Sequence, residues 1–195
     1  MDDEVFVTID VPIGLPESTR FRRCDEEARR RLRERRSSVF MPPGRYLLDA
    51  KDHAEARRLV EERRSDELDA RGIGAQAWGI VPKIREVDEL LRARPEGREW
   101  LQEVHPEVCF LEWSGRLLPG KKSAAGQVER LKLVQEKFPD VESVILRDPD
   151  STGKMDLTDV LDAYAALWTA LRRAKDEHET LAEVVLDELR ANMIV

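Results

Sequence analysis

Three groups of side chains in this 195-residue chain have the types and spacing to do chemistry. The first is Asp10, which closes the alternating run Val5-Phe6-Val7-Thr8-Ile9 and precedes Pro12 and Pro16. Alternation of this kind reads as a strand, and prolines, which have no N–H for a ladder, end it. A carboxylate at a strand end is presented to a ligand, although such an Asp also satisfies the donors of its own turn. The second group is Asp159 and Asp162, three apart on a helix expected from Leu157 to Ala174 and therefore neighbours on one side. They run into Ala163, Ala166 and Ala170, a stripe of small residues that lets a helix approach a sheet closely. Two such carboxylates repel each other unless a cation lies between them. Acids in a first turn behind an Asp156 or Thr158 N-cap are equally what a helix dipole favours. The third group is Glu103, His105 and Glu107, which share one face of a strand expected over Glu103–Phe110. Three such side chains suit a metal ion. Pro106 within the run implies an edge strand, where charges also serve to block pairing.

The elements that must position these groups are dense, with no internal repeat and no low-complexity segment. Cys24 to Arg36 reads as a basic helix, Ser37 to Arg45 as a loop stopped by Pro42, Pro43 and Gly44, and Ala50 to Arg64 as an exposed helix. Ile80 to Ala93 carries Ile80, Ile84, Val87 and Leu91 on one face, with Lys83, Glu86 and Asp88 on its polar side. The loop Pro119-Gly120-Lys121-Lys122-Ser123 precedes a helix expected from Ala124 to Phe138. Lysines there suit an anion better than they suit the helix, whose N-terminus is already positive. The last helix adds a wide apolar face of Val160, Leu161, Tyr164, Leu167, Trp168 and Leu171.

Composition narrows the classes. Hydrophobic residues are 41% and charged residues 37% of the chain, a size and balance expected of a single α/β domain over 1–195. No apolar run reaches bilayer length and the start Met1-Asp2-Asp3-Glu4 is acidic, so no membrane association and a cytoplasmic location are expected. Cys24 and Cys109 are read as free thiols. A net charge of −7 argues against a general polyanion binder. The charge is uneven, however: Arg20 to Arg36 holds nine Arg against four acids, and Lys175 to Val195 is acidic through Asp176, Glu177, Glu179, Glu183, Asp187 and Glu188. The basic arm can hold phosphates, or its Glu and Arg can pair along a solvated helix.

Many short motifs stand together in one order. They are Asp10 through Pro16; Arg23-Cys24-Asp25 with Ala28-Arg29; Ser37-Ser38-Val39-Phe40; Gln76-Ala77-Trp78; and Lys83-Ile84-Arg85-Glu86-Val87-Asp88. Glu103-Val104-His105-Pro106-Glu107, Lys121-Lys122 with Gly126 and Arg130, and Asp159-Val160-Leu161-Asp162-Ala163 follow. In this the chain from Val5 onward resembles the domain-of-unknown-function 429 family, predicted nucleases with an RNase H-like fold.

The resemblance implies a mixed sheet flanked by helices, with acids converging on Mg²⁺ or Mn²⁺. By that likeness Asp10, Asp159 and Asp162 are the catalytic and metal-binding set, with Glu103, His105 and Glu107 as further ligands. Lys83, Arg85, Lys121 and Lys122 are assigned to phosphate. The implied reaction is phosphodiester hydrolysis by a metal-activated water. Such enzymes open with a hairpin bearing an Asp, and none is read before Val5; Thr158 stands where a further Asp is common. The sheet is therefore expected to be incomplete at its N-terminus, the chain weakly active or inactive as it stands, and the strand at Val5–Asp10 an exposed edge prone to self-association. A noncatalytic nucleic-acid or nucleotide-binding module, and a structural or interaction protein, are the alternatives.

Overall fold

Alternation in the first described residues does make a strand, β1 (Val7–Ile9), and the turn behind it is folded into the core, with Val11, Ile13 and Leu15 buried. The computed structural model of the chain describes residues 5–64, 72–147, 156–186 and 189–195. The acidic start Met1–Glu4, Asp187, Glu188 and the Glu183 side chain lie outside the described residues.

Helix α1 spans Arg23–Leu32 and stops where Arg33 takes a positive φ of 49°. The basic helix expected to Arg36 thus gives way to a 3-10 segment, Arg33–Ser38, and a second one covers Arg45–Leu47. Helices α2 (His53–Arg64), α3 (Ala75–Ala93) and α4 (Gly97–Trp100) follow. Helix α3 starts five residues before the expected Ile80 and accommodates Pro82 internally. Asp88, expected on its polar side, is buried and ion-paired to Arg45 and Arg92.

The largest correction concerns the second strand. Strand β2 is only Leu101–Glu103, and Pro106 opens a helix, α5 (Pro106–Ser114), in place of the strand expected to Phe110. The cause is local: proline's fixed φ and missing N–H suit the first helical position, where that N–H would have no partner. From there Val108, Cys109 and Phe110 are buried at helical spacing. A period-two face holding Glu103, His105 and Glu107 therefore does not exist.

Helices α6 (Ala124–Lys137), α7 (Val141–Leu146) and α8 (Leu157–Arg173) complete the helical part. The starts of α6 and α8 match expectation because each is capped: Ser123 Oγ accepts from Gly126 N at 3.0 Å and Asp156 Oδ1 from Thr158 N at 3.1 Å. The acidic C-terminal stretch, read only for its charge, forms the hairpin β3 (Thr180–Leu186) and β4 (Leu189–Ile194).

The sheet has the order β1-β2-β4-β3 and is mixed and open, so the fold is α/β. β1 and β2 are parallel, with Ile9 beside Glu103; β2 and β4 are parallel, with Glu103 beside Met193; β3 is antiparallel to β4. The strand from Val5–Asp10 and the shortened second strand thus share one sheet. Side chains of β1 alternate between two helices. Thr8 Oγ1 donates to Ala166 O of α8 at 2.8 Å and Phe6 lies under Arg173 of α8, whereas Ile9 packs with Ile80 and Ile84 of α3. Helix α8 is accordingly packed over the sheet. A second apolar cluster joins α5, α6, α7 and α8 through Phe110, Val134, Val141 and Leu161. A third seats α1 on the hairpin through Cys24, Leu32, Leu181 and Met193. Both cysteines are free and buried. No helix among the described residues is long and apolar enough to cross a membrane.

Candidate functional site

Because Ile9 pairs with Glu103 in a parallel ladder, the chain leaves β1 and β2 at the same end, and Asp10 and His105 emerge side by side. Carboxyl ends of parallel strands are where open α/β sheets bind ligands. Here an open cleft of about 790 Å³ runs from that end along β1, lined by Phe6 to Val11, by Ile80 and Lys83 of α3, by Pro106, and by Asp159, Asp162, Ala163 and Ala166 of α8. The alanine stripe that brings α8 down onto β1 thereby brings its two acids to the mouth where Asp10 stands.

The acids are not equivalent. Asp162 is 13% exposed; its Oδ2 accepts from Lys121 Nζ at 2.8 Å, while its Oδ1 is buried with no partner among the described residues. Burial, with the charges of Asp10 and Glu107, pushes the Asp162 carboxyl above its usual range against the pull of Lys121. Asp10 is likewise pushed up by desolvation, against the pull of His105, Lys121 and Lys83. Asp10 still keeps contact with water at the cleft mouth, which moderates that rise. Burial works to lower the Lys121 ammonium, but the bond to Asp162 and the charges of Asp162, Glu107 and Asp10 prevail and raise it. Asp10, Asp162, Glu107 and Lys121 therefore share one local field. Asp159 lines the cleft, exposed, one turn before Asp162.

Lys121 is aimed by a tight approach of two backbones. A Cβ on Gly126 would stand 2.1 Å from Gly120 O, so only glycine lets the first turn of α6 lie against the Pro119–Gly120 loop. Arg130 locks the same loop, donating to Pro119 O at 2.8 Å and to the buried Glu107 at 2.7 Å.

The other expected site residues have different work. Glu103 belongs to a buried network with Arg22 and Asp25 in which all four carboxylate oxygens are paired. Arg22 donates Nη2 to Asp25 Oδ1 and to Glu103 Oε1, both at 2.6 Å, Nη1 to Glu103 Oε2 at 2.8 Å and Nε to Asp25 Oδ2 at 2.9 Å. Ile13 N adds a bond to Glu103 Oε2 at 2.7 Å, and Arg22 Nη1 donates to Ile13 O at 2.8 Å. Burial, above all, and the charge of Asp25 push the Glu103 carboxyl up to about 7 against the pull of Arg22, because one guanidinium faces two carboxylates. This network holds the Asp10–Pro16 turn on β2 and α1. It is a clamp, and Glu103 has no oxygen left for a metal. Glu107 is held by Arg130, and His105, whose Nε2 lies 3.2 Å from Ser38 O, keeps a buried Nδ1 without a partner among the described residues.

Of the four cations assigned to phosphate, Lys83 lines the cleft and Lys121 reaches into its field. Lys122 is exposed outside the lining. Arg85 donates to the carbonyls of Leu48 and Ala50 and does not line the cleft. The basic arm is also largely engaged: Arg30 and Arg31 pair with Glu27, Arg31 with Glu179, and Arg29 with the carbonyls of Arg36 and Val39.

Among the described residues no three His, Cys, Asp or Glu side chains group closely enough to cage a metal. Mg²⁺ does not require a cage, since one or two carboxylates with retained water satisfy it. Asp10 and the unpartnered Asp162 Oδ1, both short of positive charge beside open solvent, fit that demand.

An open mixed α/β sheet with acids and lysines converging at the ends of its parallel strands defines the class of this protein. A family model described as "Protein of unknown function (DUF429)" matches residues 1–185, and the chain belongs to that family. No curated protein and no solved structure matches it.

Proposed function

We propose that the chain hydrolyses phosphodiester bonds in nucleic acid, in the cytoplasm, with Mg²⁺ or Mn²⁺ held by Asp10 and Asp162 and with Asp159 at the rim. The observation that carries this reading is the pair of carboxylates in one cleft, each raising the other's proton affinity, with Asp162 Oδ1 buried and unpartnered. When bound, the ion supplies water activation and stabilises charge on the leaving oxygen. Lys83 and Lys121 attract and orient the scissile phosphate, and the open cleft admits a polymer. An acid at a strand end faced by acids from a helix supports an RNase H-like arrangement of this sheet.

A specific observation favours a second reading, a noncatalytic nucleic-acid or nucleotide-binding module. Lys121 Nζ already neutralises one oxygen of Asp162. The deciding experiment incubates the chain with single-stranded, duplex and branched DNA and with RNA, with Mg²⁺ or Mn²⁺. Cleavage that requires metal and is lost in Asp10→Asn and Asp162→Asn supports hydrolysis. Retention on the nucleic acid without cleavage, weakened by Lys83→Ala, favours the binding module, and neither result leaves only a structural or interaction protein.

A further inference from the structure

Beyond that reaction, we infer that the outer edge of β1 is a homodimer interface in which the strand pairs antiparallel with the same strand of a second copy. Ile9 O accepts from Val104 N at 2.9 Å, so Ile9 and, two residues back, Val7 turn their backbone groups inward to β2. Phe6 and Thr8 turn theirs outward. Among the described residues β1 ends the sheet order, and no strand receives these groups. Unpaired edge groups are a template for another chain.

What makes the partner a second copy is the self-complementarity of this edge. A twofold axis through Val7 sets Phe6 opposite Thr8 of the other copy, and these are the residues whose backbone groups point outward, as an antiparallel hydrogen-bonded pair requires. The same register sets Val5 opposite Ile9 and Val7 opposite Val7 on the face away from α8, an uninterrupted apolar ladder. Val5 is 67% and Val7 38% exposed. On the opposite face α8 leaves Leu167 43% and Leu171 40% exposed beside Ala163 and Ala170, although the sequence places both leucines on its apolar face. The twofold brings this stripe against its own copy. One symmetry operation thus covers the unpaired backbone and the apolar residues on both sides of it, as an isologous contact does.

The arrangement leaves the acids free. Asp10 of the two copies lie six residues apart along the ladder, roughly 20 Å at strand rise, so each cleft mouth opens at its own end of the joined sheet. Failure of the hydrolysis reading leaves this inference intact.

Sedimentation velocity and light scattering of the full chain over a range of concentrations test it. A dimer is expected whose dissociation constant rises at least tenfold in Val7→Lys and in Leu167→Lys, while Val128→Lys, an equally exposed site on α6, leaves it unchanged. Circular dichroism of each variant confirms that the monomer retains its fold. A monomer at every concentration overturns the inference, and so does a dimer indifferent to both edge variants.

Discussion

Two clusters of the same side-chain types stand about one strand apart, and they have opposite fates. In the first, Arg22, Asp25 and Glu103 are buried and every carboxylate oxygen is paired. In the second, Asp10, Asp162 and Lys121 face a cleft, and Asp162 has one oxygen paired and one orphaned. Residue type does not separate structure from function here. Completeness of hydrogen bonding does, because a saturated network has nothing to offer a ligand and an unsaturated one is stabilised by whatever completes it.

The largest effects should come from breaking the saturated cluster. Arg22→Met strands two buried carboxylates and should cost about 3–5 kcal/mol, read as a lower denaturation midpoint that neither Mg²⁺ nor Mn²⁺ restores. If the variant unfolds at the parent's denaturant concentration, the network is not a clamp. Next in size is Gly126→Ala. The added methyl must push the Pro119–Gly120 loop away from α6, an overpacking that should cost about 1–3 kcal/mol. Since that loop carries Lys121, the variant should also weaken retention on nucleic acid.

A cleft substitution should behave in the reverse sense. Asp162→Asn removes a charge that burial already penalises, so the metal-free protein should change little in stability. In the parent, binding to the native state at a hundredfold excess over Kd should stabilise by about 2.7 kcal/mol, and Asp162→Asn should remove most of that gain. An unchanged melting temperature with millimolar Mg²⁺ and Mn²⁺ in the parent protein would sink the metal reading and place the cleft beside the clamp as architecture.

How much of this is legible in the sequence follows the distance over which each residue is determined. The β1 strand and its turn are legible because two prolines forbid continuation, and the starts of α6 and α8 because Ser123 and Asp156 cap them locally. Asp10 and Asp162 are legible as candidates because strand end and helix spacing present them. The roles of Glu103 and Glu107 are not, because their partners Arg22 and Arg130 lie 81 and 23 residues away. At Pro106 two local signals compete, apolar alternation and proline at a first helical turn, and the helix prevails by burying Val108, Cys109 and Phe110. The hairpin β3–β4 is written largely in Leu, Ala and Glu, residues that favour helix. Its strands exist because β4 pairs with β2 and α1 covers Leu181 and Met193, contacts that local pattern does not encode.

The smallest expected effect is the most discriminating, because pH acts on both clusters and metal on only one. Asp10, Asp162 and Glu103 all have carboxyls raised in the folded chain, Glu103 to about 7. A raised carboxyl means that the native state holds its proton more tightly than the unfolded state. Its contribution to stability is therefore complete below the ordinary carboxylate range and is lost as pH rises through the folded value. Metal-free protein should lose stability from pH 5 to pH 8, with the cleft acids contributing less than about 1 kcal/mol after screening by solvent. Mg²⁺ requires the deprotonated carboxylates, so its stabilising effect should be weak at pH 5 and full at pH 8. It should restore only the cleft's share of the loss. Asp162→Asn should flatten the metal-dependent part of the profile and leave the remainder, whereas Glu103→Gln should flatten the remainder and leave the metal-dependent part. Thermal melts across this pH range, with and without Mg²⁺, read both. A metal effect equal at pH 5 and pH 8, or one that survives Asp162→Asn, would mean that the ion binds elsewhere and that the unsaturated cluster is not its site.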